Sequence, residues 1–123
     1  MLTLTSEMKR AFNEQAYKNQ DHQFALRLRA WRPSRFNAVE DADLTETVGY
    51  ARRNAVSFGL KSPTLRARWV MIHSGLAPDF WRNAAIYETL TAKTGTADIR
   101  FGDVCACIRL MLTDADRGSE VWW

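Results

Sequence analysis

The chain has 123 residues and a formal net charge of +3. Its content of 46% hydrophobic and 25% charged residues excludes a disordered chain, which carries fewer apolar residues, and the length suits one domain whose core needs no metal or disulfide. No apolar run approaches the roughly 18 residues of a membrane span, and the start MLTLTSEMKRAF lacks a basic-then-apolar leader, so a cytoplasmic chain is expected.

Thr5 or Ser6 caps a first helix, and Glu7 in its first turn complements the helix dipole. Met8, Phe12 and Ala16 follow at helical spacing, then Tyr17, Phe24, Leu28 and Trp31. The spacing predicts a helix from about residue 6 to 31, exposed or bent in the polar stretch 18–23, with a break near Asn19–Asp21 as the alternative. Pro33 ends it, because the residue before a proline is disfavoured in the helical region.

Arg27, Arg29, Arg32 and Arg35 surround that helix end. Cations there complement the dipole, and Glu40, Asp41, Asp43 and Glu46 follow closely enough to neutralise them. The other reading of these arginines is a patch for an anionic partner. The connection 34–39 should tuck Phe36 inward.

Asp41 or Asp43 then caps a second helix. Its face is Leu44, Val48, Ala51, Ala55 and Phe58, at steps of four, three, four and three. Gly59 stands where a left-handed residue closes a helix, and Leu60 can pack back onto the last turn. Ser62-Pro63 is the sharpest start signal, a favoured N-cap followed by a residue suited to the first helical position. Leu65, Trp69 and Ile72 line the third helix, widened by Val70 and Met71, and Gly75 stops it.

Asp79 is expected to cap a fourth helix from Phe80, with Ala84, Tyr87 and Leu90 facing inward and one of Phe80 and Trp81 facing outward. Thr94-Gly95-Thr96 ends it. Thr96 or Ala97 opens a last helix carrying Phe101, Cys105, Ile108 and Leu112 at steps of four, three and four. Val121, Trp122 and Trp123 should dock on the domain or touch a partner. Strand alternation and tight hairpin turns are missing. The expected fold is therefore all-α, a single helical domain over 1–123 built from about five helices.

Little in the chain resembles a catalytic or ligand-binding motif. His22 and His73 stand apart, and Cys105 and Cys107 sit about 200° from each other on a helix. They read as buried free thiols in a reducing compartment. His73 reads as a helix-end cation or a packed imidazole. No nucleophile stands in a recognisable motif, and phosphate-cradling glycine loops are missing. The reading is a chain without catalytic, cofactor-binding or metal-binding residues.

Two binding functions remain. Residues 44–74 have the outline of a helix-turn-helix, with Arg52, Arg53, Arg66 and Arg68 adding positive charge. The apolar third helix argues against it, because a recognition helix needs one face free for base edges, and nucleic acid is disfavoured as a partner. The other function is protein binding. The 13 Arg against 4 Lys and the five Trp fit a surface in which a few Arg and aromatic anchors dominate affinity.

A resemblance favours the second. Leu4, Thr5, Glu7, Met8 and Phe12 fit an "LT…E-M-x-x-F" opening, and Phe24, Leu26, Arg27 and Leu28 fit an "RL…LR" helix. Ala55, Phe58, Gly59, Leu60 and Ser62 fit "A-x-x-(Y/F)-G-(I/L)-x-(S)"; Met71, Gly75 and Phe80 fit "(M)…G…F"; Arg100 fits a late arginine. Over roughly residues 4 to 101 the chain resembles small helical proteins encoded beside effectors of bacterial type VI secretion clusters. It departs from them in having Leu65-Arg66-Ala67-Arg68 where an Asp is usual, and in ending Val-Trp-Trp. The resemblance implies a non-enzymatic accessory that binds a secreted toxin or its loading machinery as immunity protein, chaperone or adaptor. The expected partner-binding residues are Arg27, Arg32, Arg35, Trp81 and Trp123.

Overall fold

A computed structural model of the chain describes residues 5–120 and Trp123. The side chain of Phe12 and the placements of Leu4, Val121 and Trp122 lie outside the described residues. Six helices follow in order: α1 Ser6–Trp31, α2 Pro33–Phe36, α3 Asp41–Ser57, α4 Pro63–Gly75, α5 Ala84–Leu90 and α6 Ala97–Asp114. Short 3-10 turns cover Phe80–Arg82 and Gly118–Glu120. The described residues contain no strand, and the fold is an all-α bundle.

Local chemistry explains most helix ends. The Thr5 hydroxyl accepts from the Met8 amide at 3.1 Å and opens α1. Ser62 does the same for α4 through the Leu65 amide (3.3 Å), with Pro63 at the first position. Gly59 has φ +91°, and the Leu60 amide donates back to the Ala55 carbonyl at 3.1 Å. That closes α3 in the left-handed way glycine permits, and Leu60 is then buried. Thr96 caps α6 through the Ile99 amide. The apolar stripes point inward as their spacing requires: Leu44, Val48, Ala51 and Ala55 on α3, and Phe101, Cys105, Ile108 and Leu112 on α6.

The centre is Trp69 on α4, fully buried. Its ring lies 5.2 Å from Phe58, 4.8 Å from Phe80, 5.4 Å from Trp81 and 5.1 Å from Phe101, centroid to centroid. Helix α3 packs between α1 and α4, and α6 closes the other side against α4 and α5.

Helix α1 spans Ser6–Trp31 as its spacing predicts, unbroken through a polar middle that contains neither proline nor glycine. From Thr5 to Gln20 all of its described side chains are exposed, and contact with α3 begins only around Glu14 and Tyr17. Other expectations are corrected. Glu40, not an aspartate, occupies the N-cap of α3, without a side-chain cap bond. Asp41 is engaged elsewhere, by the Arg29 guanidinium at 2.8 Å. Asp79 precedes the 3-10 turn at its N-cap position but makes no side-chain cap bond: it has φ +53°, and its carboxylate accepts from the Tyr50 hydroxyl at 2.9 Å. Asn83 caps the next helix instead, through the amides of Ala85 and Ile86. That later start turns Ala84 and Tyr87 outward and leaves Leu90 buried. Phe80 and Trp81, carried on a 3-10 turn, both face the core and pack on Trp69. Cys105 is buried, as expected, but Cys107 is exposed.

Candidate partner-binding groove

The middle of α1, the second half of α3 and the first half of α4 enclose a groove of ≈ 660 Å³. Its apolar wall is Phe24, Val48, Val56, Pro63, Ala67 and Val70. Its polar rim is Tyr17, Gln20, Asp21, Arg52, Arg53 and Arg66. The helical register produces this division. On α3 the inward stripe leaves Arg52, Arg53 and Val56 one step round the axis, facing the groove.

The rim is built around one ion pair. Arg52 donates to Asp21 twice, Nε to Oδ1 at 2.9 Å and Nη2 to Oδ2 at 3.1 Å. Asp21 is only 5% exposed. The Arg52 guanidinium also lies 4.5 Å from the Tyr17 ring centroid, a cation–π contact that fixes the aromatic at the groove edge. Gly49 makes room for the pair: a Cβ there would stand 2.9 Å from Asp21 Oδ2. Arg66 is held by its Nε–H donating to the Leu60 carbonyl at 2.7 Å. Arg53 reaches Glu46 at 3.3 Å with both side chains largely in water, a pairing worth little.

A shallower depression of ≈ 370 Å³ continues along α1 and is lined by Asn19, Gln20, Gln23, Phe24 and Arg27. Phe24 and Gln20 belong to both. Together they run from Tyr17 to Arg27, about 15 Å along the helix axis.

The residues expected from sequence are scattered. Arg27 is exposed and lines this continuation. Arg35 is exposed on the short α2. Arg32 is tied down: it pairs with Glu120 at 3.2 Å, and its guanidinium lies 4.7 Å from the Trp31 ring centroid. Trp81 is 5% exposed and stacks on Trp69 and His73, so a partner of the folded chain cannot reach it. Trp123 is half-buried, and its indole N–H donates to the Cys105 carbonyl at 3.1 Å, docking the last residue on α6. Sequence reasoning missed Arg52, Arg53, Arg66 and Val56 as groove residues. The paired arginines and Arg66 carry a signal in the sequence, but as charge alone it fits a helix-turn-helix equally well.

That outline is met by α3 and α4, yet from Leu65 to Gly75 no residue of α4 is exposed. The helix has no free face for base edges. His73 is a packed imidazole rather than a helix-end cation. Its Nδ1 accepts from the Asp79 amide at 2.9 Å, which keeps that nitrogen unprotonated. Burial lowers its pKa below the ordinary 6.5, against the opposing pull of the Asp79 carboxylate. Burial likewise pushes the Cys105 thiol up. Among the described residues no group of three or more His, Cys, Asp or Glu could hold a metal ion, and no helix is long and apolar enough to cross a membrane.

No family model, curated protein or solved structure matches the chain.

Proposed function

We propose that the chain is a cytoplasmic protein-binding accessory of a type VI secretion effector, serving as an immunity protein or as an effector chaperone or adaptor. It acts by stoichiometric binding and not by turnover. The observation that carries the protein-binding part is the groove: an apolar wall of Phe24, Val48, Val56, Pro63, Ala67 and Val70 beneath an arginine and tyrosine rim. Interfaces concentrate affinity in such apolar floors with Arg and aromatic edges. The secretion context is supported by the residue pattern from Leu4 to Phe101. The immunity role covers the toxin's active site, whereas the carrier role covers a folding or transport segment.

Affinity capture from the native host tests this reading. Recovery of a toxin from the same gene neighbourhood supports it, and a chain recovered alone under conditions that preserve other complexes removes its motive. A toxicity assay of that toxin with and without the chain then separates immunity, where toxicity falls, from carriage, where delivery falls.

A further inference from the structure

We infer that the groove between α1, α3 and α4 receives an acidic amphipathic helix of the protein partner. This rests on the protein-binding reading and adds the chemistry of what is bound.

Charge sets the sign of the occupant. Three guanidinium groups line the groove, from Arg52, Arg53 and Arg66, against one carboxylate, Asp21. That carboxylate is nearly buried and already takes two bonds from Arg52. Arg53 has only an exposed glutamate at 3.3 Å, which a partner carboxylate can replace at little cost. Arg27 adds a fourth positive group where the groove continues past Phe24. A basic segment would meet like charge along this length. An acidic one gains planar, bidentate contacts of the kind arginine makes best.

Shape sets its form. Val56 is 45% exposed although it borders the apolar wall, and Phe24 is only partly covered. Both are open to an apolar side chain from outside. The groove from Tyr17 to Arg27 matches nearly three turns of a helix. Helices dock in such grooves through anchors at i, i+3 or i+4, and i+7. A phosphate backbone, by contrast, would lie against Val56 and Phe24 and gain nothing from them.

The test is selection from a random displayed library of peptides about 16 residues long, long enough to span the groove, on the full chain at physiological salt. Enriched peptides should carry apolar residues at helical spacing with two or more Asp or Glu beside them. A synthetic copy of the strongest should bind Arg53→Glu and Val56→Glu at least about tenfold more weakly, with the circular dichroism and melting of both variants unchanged. Enrichment of basic or uncharged peptides, no enrichment above background, or equal binding to both variants would each overturn the proposal. The two readings fail separately. A captured toxin that still binds both variants removes the groove but keeps the accessory role. Acidic peptides held by the groove, with no toxin captured, do the reverse.

Discussion

Asp21 of α1 and Arg52 of α3 are joined by two parallel bonds of 2.9 and 3.1 Å, with the carboxylate 5% exposed and the guanidinium side chain 22% exposed. The pair clamps α1 to α3 at the point where α1 leaves the bundle. Removing one partner strands the other. Arg52→Met should destabilise the fold by about 3 kcal/mol, the low end of the cost for a buried charge left alone, because water reaches Arg52. Adding Asp21→Asn to that variant should recover part of the loss. Urea midpoints at constant m-value measure both.

Gly75 lies against the Trp31 ring, and a Cβ there would stand 2.5 Å from Cζ3. The ring is backed by the Arg32 guanidinium. Gly75→Ala gains up to about 1 kcal/mol of helix preference, but overpacking costs about 1–3 kcal/mol. A net loss of about 1–2 kcal/mol is expected, seen as a lower urea midpoint.

His73 sets a pH dependence. Its folded pKa is lowered by burial, so the unfolded chain binds the extra proton first. Stability from this site is therefore complete above the ordinary value of 6.5 and is lost as pH falls through it towards the folded pKa. Protonation at Nδ1 also breaks the bond from the Asp79 amide. Denaturation curves between about pH 5 and pH 8 should show stability falling on the acid side, and His73→Gln should flatten that fall.

Trp81 and the exposed arginines should part company. Trp81→Ala empties a stacked core site and is expected to cost about 3–5 kcal/mol. Arg27→Glu and Arg35→Glu, both on exposed residues, should stay within about 0.5 kcal/mol. Thermal melts decide this, and a stable Trp81→Ala variant would refute the core assignment.

The start of α1, Thr5 to Asn13, is exposed at every described side chain and precedes the residues that meet α3, and an isolated helix of that length is marginal in water. Its amides should exchange with solvent at least about a hundredfold faster than those of Trp69 to Ile72, a difference of about 2.8 kcal/mol in opening free energy. Hydrogen-exchange mass spectrometry resolves the two segments.

Local chemistry made much of the fold readable. Ser62-Pro63, Gly59 and Leu60 act within a few residues, and the stripe Leu44, Val48, Ala51, Ala55 needs only helical register. What was missed depends on distant partners. Asp79 looks like a cap until Tyr50, 29 positions away, takes its carboxylate. Asp21 looks like part of a polar, solvated stretch until Arg52, 31 positions away, buries it. The groove shares that cause: Phe24, Val56 and Arg66 lie on three helices, and only the packing of α1 and α4 against α3 brings them together. Trp81 follows the same cause: both it and its neighbour Phe80 pack on Trp69 of the preceding helix, a contact that adjacency in the chain does not reveal.

Native mass spectrometry of the chain co-expressed with a toxin from its gene neighbourhood bears most directly on stoichiometric binding through the groove. A complex of fixed stoichiometry is expected with the unaltered chain, and free chain with Arg53→Glu and Val56→Glu. Free chain in every sample, or a complex that survives both substitutions, would contradict it.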